Sequence, residues 1–359
     1  MELNGYKSMS HRVAASFLRN LAEFKALPGG TPVESRVALH DFFKSLYTKL
    51  FEQPELFALP MDPDAVITVD EPEVKEKKQE VRKKLDKSRN LIAGGIDYLM
   101  LAGIQGRLEG DTLILQNHTA AVKETKANKK FLAALSNAGL YITVTGDTAN
   151  LRSEQFPDMM PALQELAQSC SRIQPAETGK FQFTRCDYCA LQGEGPDPAE
   201  LIEALDSDTQ VLVKQAHDYF ISRDYKTQIW DINSRLTWSI KYQGDRKVKA
   251  TPLFQINYDT RYAQPVRLQI KCASSGRIVG LLPEQSQSLQ KDFFHRTYIC
   301  NGDKCGWCRN KKTMGPSVIQ FNNEEHTVCW YVNPDIREIN SDTIELIKEY
   351  EQLHVQLGG

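Results

Sequence analysis

Arg235-Leu-Thr-Trp-Ser-Ile-Lys-Tyr242 alternates polar and apolar side chains without a break. Successive side chains of a strand point to opposite faces. Leu236, Trp238, Ile240 and Tyr242 therefore share one face, and Arg235, Thr237, Ser239 and Lys241 share the other. Phe254, Ile256 and Tyr258 repeat the period, and so do Val266, Leu268, Ile270 and Cys272. Gln243-Gly-Asp245 and Ser274-Ser-Gly276 separate the runs with turn residues. The pattern predicts an antiparallel meander of three or four strands, apolar on one side. That side needs cover, and the flanking helices expected at about 208–222 and 284–296 can supply it. Strands at about 317–321 and 326–332 are expected to extend the sheet.

Working outward, the chain has 359 residues, 8 cysteines and 44 Lys+Arg against 46 Asp+Glu. That length calls for two or three domains and excludes a disulfide-stapled miniature. The charge balance excludes a disordered polyelectrolyte and a uniformly basic nucleic-acid coat. No apolar run is long enough to span a bilayer, so no membrane partner is expected. The opening residues show no basic-then-apolar leader, which makes a cytoplasmic, reducing location the expectation.

The fold class expected is α+β. A helix-rich N-terminal domain, 1–175, carries a small mixed element, with sub-boundaries near 72 and 106. A C-terminal two-layer α/β sandwich built on the antiparallel sheet, 176–359, follows. Residues 9–53 read as two helices, and Thr31-Pro-Val-Glu34 has the spacing of a capping box at the second. A charged helix runs through about 73–102. Thr112–Gln116 reads as a strand, 125–138 as a helix ended by Gly139, and 140–145 with 148–152 as a hairpin.

Helix, Leu135-Ser-Asn-Ala-Gly-Leu140, then hairpin resembles the local pattern of a winged helix. The resemblance implies a recognition helix, with Lys126, Asn128, Lys129, Lys130 and Asn137 as the residues offered to bases and phosphates. A second basic stretch lies at 241–312, with fourteen Lys/Arg against five Asp/Glu. The solvated face of the meander accounts for it more simply than a nucleic-acid surface.

Five cysteines gather in two short segments, Cys186-Asp-Tyr-Cys189 and Cys300-Asn-Gly-Asp-Lys-Cys305-Gly-Trp-Cys308. A C-x-x-C loop can turn both thiolates toward one ion, and two such loops complete a tetrahedral set. Cys186, Cys189, Cys305 and Cys308 are the expected ligands of a structural zinc ion, with Cys300 as a substitute. The alternatives are unligated thiols, a redox pair and an iron–sulfur cluster. Neither cysteine pair opens a helix that would depress a thiol pKa, which argues against redox work.

No phosphate loop, dinucleotide fingerprint, H-E-x-x-H or nucleophile elbow occurs. The expectation is a non-enzymatic binding or scaffold protein with a zinc clamp and a protein partner. A nucleic-acid-binding regulator is the second reading, and a metal- or thiol-dependent enzyme the third.

Overall fold

The structure is a computed structural model that describes residues 6–65, 74–230, 237–243, 253–260, 265–271, 275–297, 317–328, 335–336 and 339–358. The chain divides into two compact units: Met1–Ala204 makes up most of the first, and most of the remainder belongs to the second. The first unit thus extends past the expected cut at 175.

In the first unit, helices α1 (Met9–Arg19) and α2 (Val33–Glu52) pair through Val13, Phe17, Phe43 and Tyr47. Ser8 caps α1 by accepting from the His11 amide. The capping box foreseen at α2 does not form. Thr31 donates its amide and hydroxyl to Glu165, and the Gly30 amide joins them. A carboxylate from a distant helix caps α2 in place of its own residues, and it favours that helix's positive end.

Helix α3 (Val74–Gln105) threads the unit, and its buried positions Val81, Leu85, Ile92, Ile96 and Leu99 follow the helical period. Strands β1 (Arg107–Glu109) and β2 (Thr112–Leu115) form a hairpin. Two helices follow, α4 (His118–Thr125) and α5 (Lys129–Ala134), the latter running into a 3-10 turn at Leu135–Ala138. The single helix expected over 125–138 is therefore broken. Lys126 adopts a left-handed backbone at φ 56° and ends α4, while Asn128 restarts the chain by capping α5.

Strands β3 (Tyr141–Thr145) and β4 (Thr148–Arg152) complete a sheet of order β1-β2-β4-β3. Leu113, Leu115, Ala149 and Leu151 form its buried row. Helices α6 (Met159–Arg172), α7 (Ala176–Arg185) and α8 (Pro198–Glu203) close the unit. Asp197 caps α8 by accepting from the Ala199 amide.

In the second unit, α9 (Ser207–Ser222) precedes β5 (Lys226–Trp230), β6 (Thr237–Gln243), β7 (Leu253–Asp259) and β8 (Val266–Lys271). The meander therefore exists, with β5 as an additional strand. Trp238, Ile240, Tyr242, Ile256, Tyr258, Leu268 and Ile270 are buried, as their alternation requires. Helix α9 lays Phe220 against Tyr242 at 4.7 Å between ring centroids, and His217 Nδ1 lies 2.8 Å from the Tyr242 hydroxyl.

Helices α10 (Ser275–Leu281) and α11 (Gln287–Arg296) follow, and α12 (Ser341–Gly358) closes the chain. Strands β9 (Ser317–Phe321) and β10 (Glu324–Val328) do not extend the meander. They form a separate two-stranded hairpin, and the short β11 (Asp335–Ile336) takes the edge beside β8. Phe294 and Phe321 hold that hairpin to α11. Buried Glu351 of α12 accepts from Tyr219 and Tyr225 and faces Arg223. This carboxylate is the acceptor that three donors of α9 and its exit share.

Among the described residues, no helix is long and apolar enough to cross a membrane.

Candidate functional site

Cys186 and Cys189 lie on the turn that leaves α7. Cys186 takes a left-handed backbone at φ 52° as the helix ends, and Asp187 accepts from the Cys189 amide to start a 3-10 turn. The motif is thus a helix stop and a turn cap back to back. Cys186 is fully buried in the apolar core, Cys170 is buried as well, and Cys189 is 8% exposed. Burial raises the pKa of Cys170 and Cys186 well above the ordinary thiol value. Cys189 is pushed up to about 12, by burial first and then by Asp187. All three are neutral thiols in this arrangement, and a neutral thiol is neither a good nucleophile nor a ligand until it loses its proton. Cys300, Cys305 and Cys308 lie outside the described residues, as do Cys272 and Cys329. Among the described residues no cluster of three His, Cys, Asp or Glu side chains is arranged to hold a metal.

Beside this turn sits a buried charge network. Arg185 is 1% exposed, with Nη2 3.4 Å from Glu200 Oε2 and Nε 3.8 Å from Asp187 Oδ2. Lys25 also pairs with Glu200. Burial pulls the Arg185 pKa down while Asp187 and Glu200 oppose the shift, and a guanidinium keeps its charge throughout the physiological range. Two positive and two negative charges thus balance in one network, which ties α7, α8 and the segment after α1 together.

The first unit carries a cleft of about 730 Å³ lined by α3, by Ala58 and Pro60, and by the turn joining α4 to α5. Its α3 wall is Lys87, Asn90, Leu91, Gly94 and Asp97, the spacing of one helical face. The opposite wall is Thr125, Lys126, Ala127 and Asn128. Gly94 lets the two walls approach: a Cβ there would sit 3.0 Å from the Lys126 carbonyl oxygen. Lys87 reaches only a long contact to Asp62, 3.4 Å, and is mostly exposed. Lys123, Lys126, Lys129 and Lys130 form no ion pair among the described residues and continue the positive surface out of the cleft along α4 and α5.

The residues expected to read bases are placed differently. Asn128 spends its side-chain oxygen on the amides of Lys130 and Phe131. Asn137 donates to the Leu56 carbonyl, and its own carbonyl accepts from Lys49. Lys87, Asn90 and Asp97 were not legible as a site. Their one signal is the i, i+3, i+7, i+10 recurrence of polar and small residues on a helix otherwise read only as charged.

Comparison with known proteins finds no matching family model, no similar curated protein and no similar solved structure.

Proposed function

We propose that the first unit is a non-catalytic module that binds duplex nucleic acid through the backbone phosphates. The connectivity that supports this runs α3, β1–β2, α4, α5, β3–β4, with β4 inserted between β2 and β3. This order resembles a winged helix with one additional edge strand, and in that likeness α5 takes the place of a recognition helix. The observation that carries the reading is the set of four lysines at the α4–α5 turn, unpaired among the described residues, on that framework. The wing differs from those that grip a minor groove. Residues 141–148 contain no Lys or Arg, and Asp147 at the tip accepts from the Thr119 amide to start α4. With Asn128 and Asn137 engaged within the protein, the surface offers phosphate contacts and few base contacts, so it positions rather than specifies.

The test is fluorescence anisotropy of the full chain with 20-base-pair duplexes of unrelated sequence. Four neutralised phosphates give a slope of log K against log salt of about −3.6. Affinity should therefore fall roughly a hundredfold between 50 and 200 mM salt, and alike for every sequence. No binding at 50 mM salt, or binding indifferent to salt, overturns the reading.

The zinc clamp of Cys186, Cys189, Cys305 and Cys308 stands beside this as a proposal from spacing. Native mass spectrometry should find one zinc per chain, lost in Cys305→Ser; a folded, metal-free chain purified without chelator contradicts it.

A further inference from the structure

We propose that two copies of this chain join through β3, the edge of which pairs with the same strand of a second copy about a twofold axis. The inference stands on the sheet edge and not on the duplex reading. Among the described residues β3 pairs with β4 alone, at the end of the order β1-β2-β4-β3. In an antiparallel pair alternate residues exchange bonds with the neighbour, and those between them turn their N–H and C=O groups the other way. Such outward groups are a template for another strand, and folded chains guard them with charge, proline or brevity. The opposite edge of this sheet is guarded: β1 has three residues, of which Arg107 and Glu109 are charged. Strand β3, Tyr141-Ile-Thr-Val-Thr145, has no charge and no proline, and four of its five residues are β-branched.

The strand's own sequence argues for a second copy as the occupant. Antiparallel pairing centred on Thr143 sets Thr143 against its own copy, Ile142 against Val144, and Tyr141 against Thr145. A twofold axis brings like side chains together, so a self-pairing strand has to be free of charge, and this one is. Residues opposite one another on neighbouring strands share a face. Ile142 lies opposite Leu151 and Val144 opposite Ala149, so both belong to the face of the buried row. Ala149 and Leu151 are fully buried, whereas Ile142 is only partly buried and Val144 is 46% exposed. The apolar row thus runs out past the cover that the core provides. In the pair, Ile142 of each copy covers Val144 of the other, and the row continues across the axis. On the opposite face Tyr141, itself exposed, meets Thr145 of the second copy. One five-residue strand pair is a small interface, so the dimer is weak, with a Kd of about 10 μM.

The experiment is sedimentation equilibrium of the full chain from about 1 to 200 μM, with Thr143→Lys and Thr143→Ile beside the wild type. The wild type should pass from monomer to dimer and stop there, because a twofold pairing uses up the edge. Thr143→Lys sets two ammonium groups opposite each other and should weaken the dimer at least tenfold. Thr143→Ile should hold it at least as tightly as the wild type. Thr143 is exposed, so neither change disturbs the core. Paired Cα atoms stand about 4.5–5.5 Å apart, within reach of a disulfide. On oxidation Thr143→Cys should therefore cross-link well above the wild type, and Glu109→Cys at the guarded edge should not. A chain still monomeric at about 200 μM overturns the proposal and leaves the edge to an extended segment of another protein. A dimer indifferent to Thr143→Lys, a dimer lost in Thr143→Ile, or equal cross-linking from both edges overturns it too. Absent duplex binding in a chain that still dimerises would sink the duplex reading and leave this one standing.

Discussion

Gly179→Ala should destabilise the first unit by about 3 kcal/mol or more, which places it among the severe single substitutions. Gly179 lies in the middle of α7, where the helix crosses the last turn of α6. A Cβ built there would sit 2.0 Å from the Cys170 carbonyl oxygen and 3.0 Å from its carbonyl carbon. Both are backbone atoms, so no rotamer change relieves the overlap. Either the helices separate, opening the core around Cys170, Phe183 and Cys186, or α6 loses its last turn. In an isolated helix the same change would stabilise by up to about 1 kcal/mol, because alanine is the better helix former. The sign is therefore set by tertiary contact. Urea unfolding of the full chain, followed by circular dichroism, reads the difference. A loss below about 1 kcal/mol would show that α6 and α7 do not approach this closely.

Arg185→Met should cost about 3–5 kcal/mol, the usual consequence of removing one member of a buried charge set. Asp187 and Glu200 would keep their burial and lose the guanidinium between them, with only Lys25 left to balance Glu200. Most of that cost belongs to the stranded carboxylates and little to the ion pairs themselves. The pairs are long, at 3.4 and 3.8 Å, and Arg185 Nε and Nη1 lack hydrogen-bond partners among the described residues. The combination Arg185→Met, Asp187→Asn, Glu200→Gln should therefore recover much of the loss, since it removes the charges together. A cost of less than about 1 kcal/mol would mean that water reaches and screens the network.

The helices of the first unit were legible because their signals are local. The two helices expected within 9–53 are α1 and α2, and Gly139, expected to end a helix, ends the 3-10 turn before β3. The reading failed where a distant residue decided. Thr31 and Glu34 have capping-box spacing, yet Glu165 from α6 takes the Thr31 donors. The 125–138 helix breaks at Lys126, a residue with no turn propensity, which is held left-handed where its backbone packs against Gly94. The first unit runs past the boundary expected at 175, and just beyond that point Gly179 is the contact that ties α7 to α6.

The candidate sites divide along the same line. The C-x-x-C spacing of Cys186 and Cys189 was visible at once, but burial and the caps around Asp187 were not, and these govern the protonation of the thiols. The cleft was invisible, because α3 and the turn at Thr125–Asn128 come together only in the fold.

By itself, the sequence determined the α+β class, the meander around Trp238 and Tyr242, and the positions of most helices. Period, caps and turn residues act within a few positions of the chain, and those forces can be read in one dimension. The tertiary structure alone decided which strand stands at each sheet edge, which carboxylate caps α2, and where an open, lysine-lined surface arises. Each of these depends on which distant segments exclude water from one another, and no spacing along the chain encodes that directly.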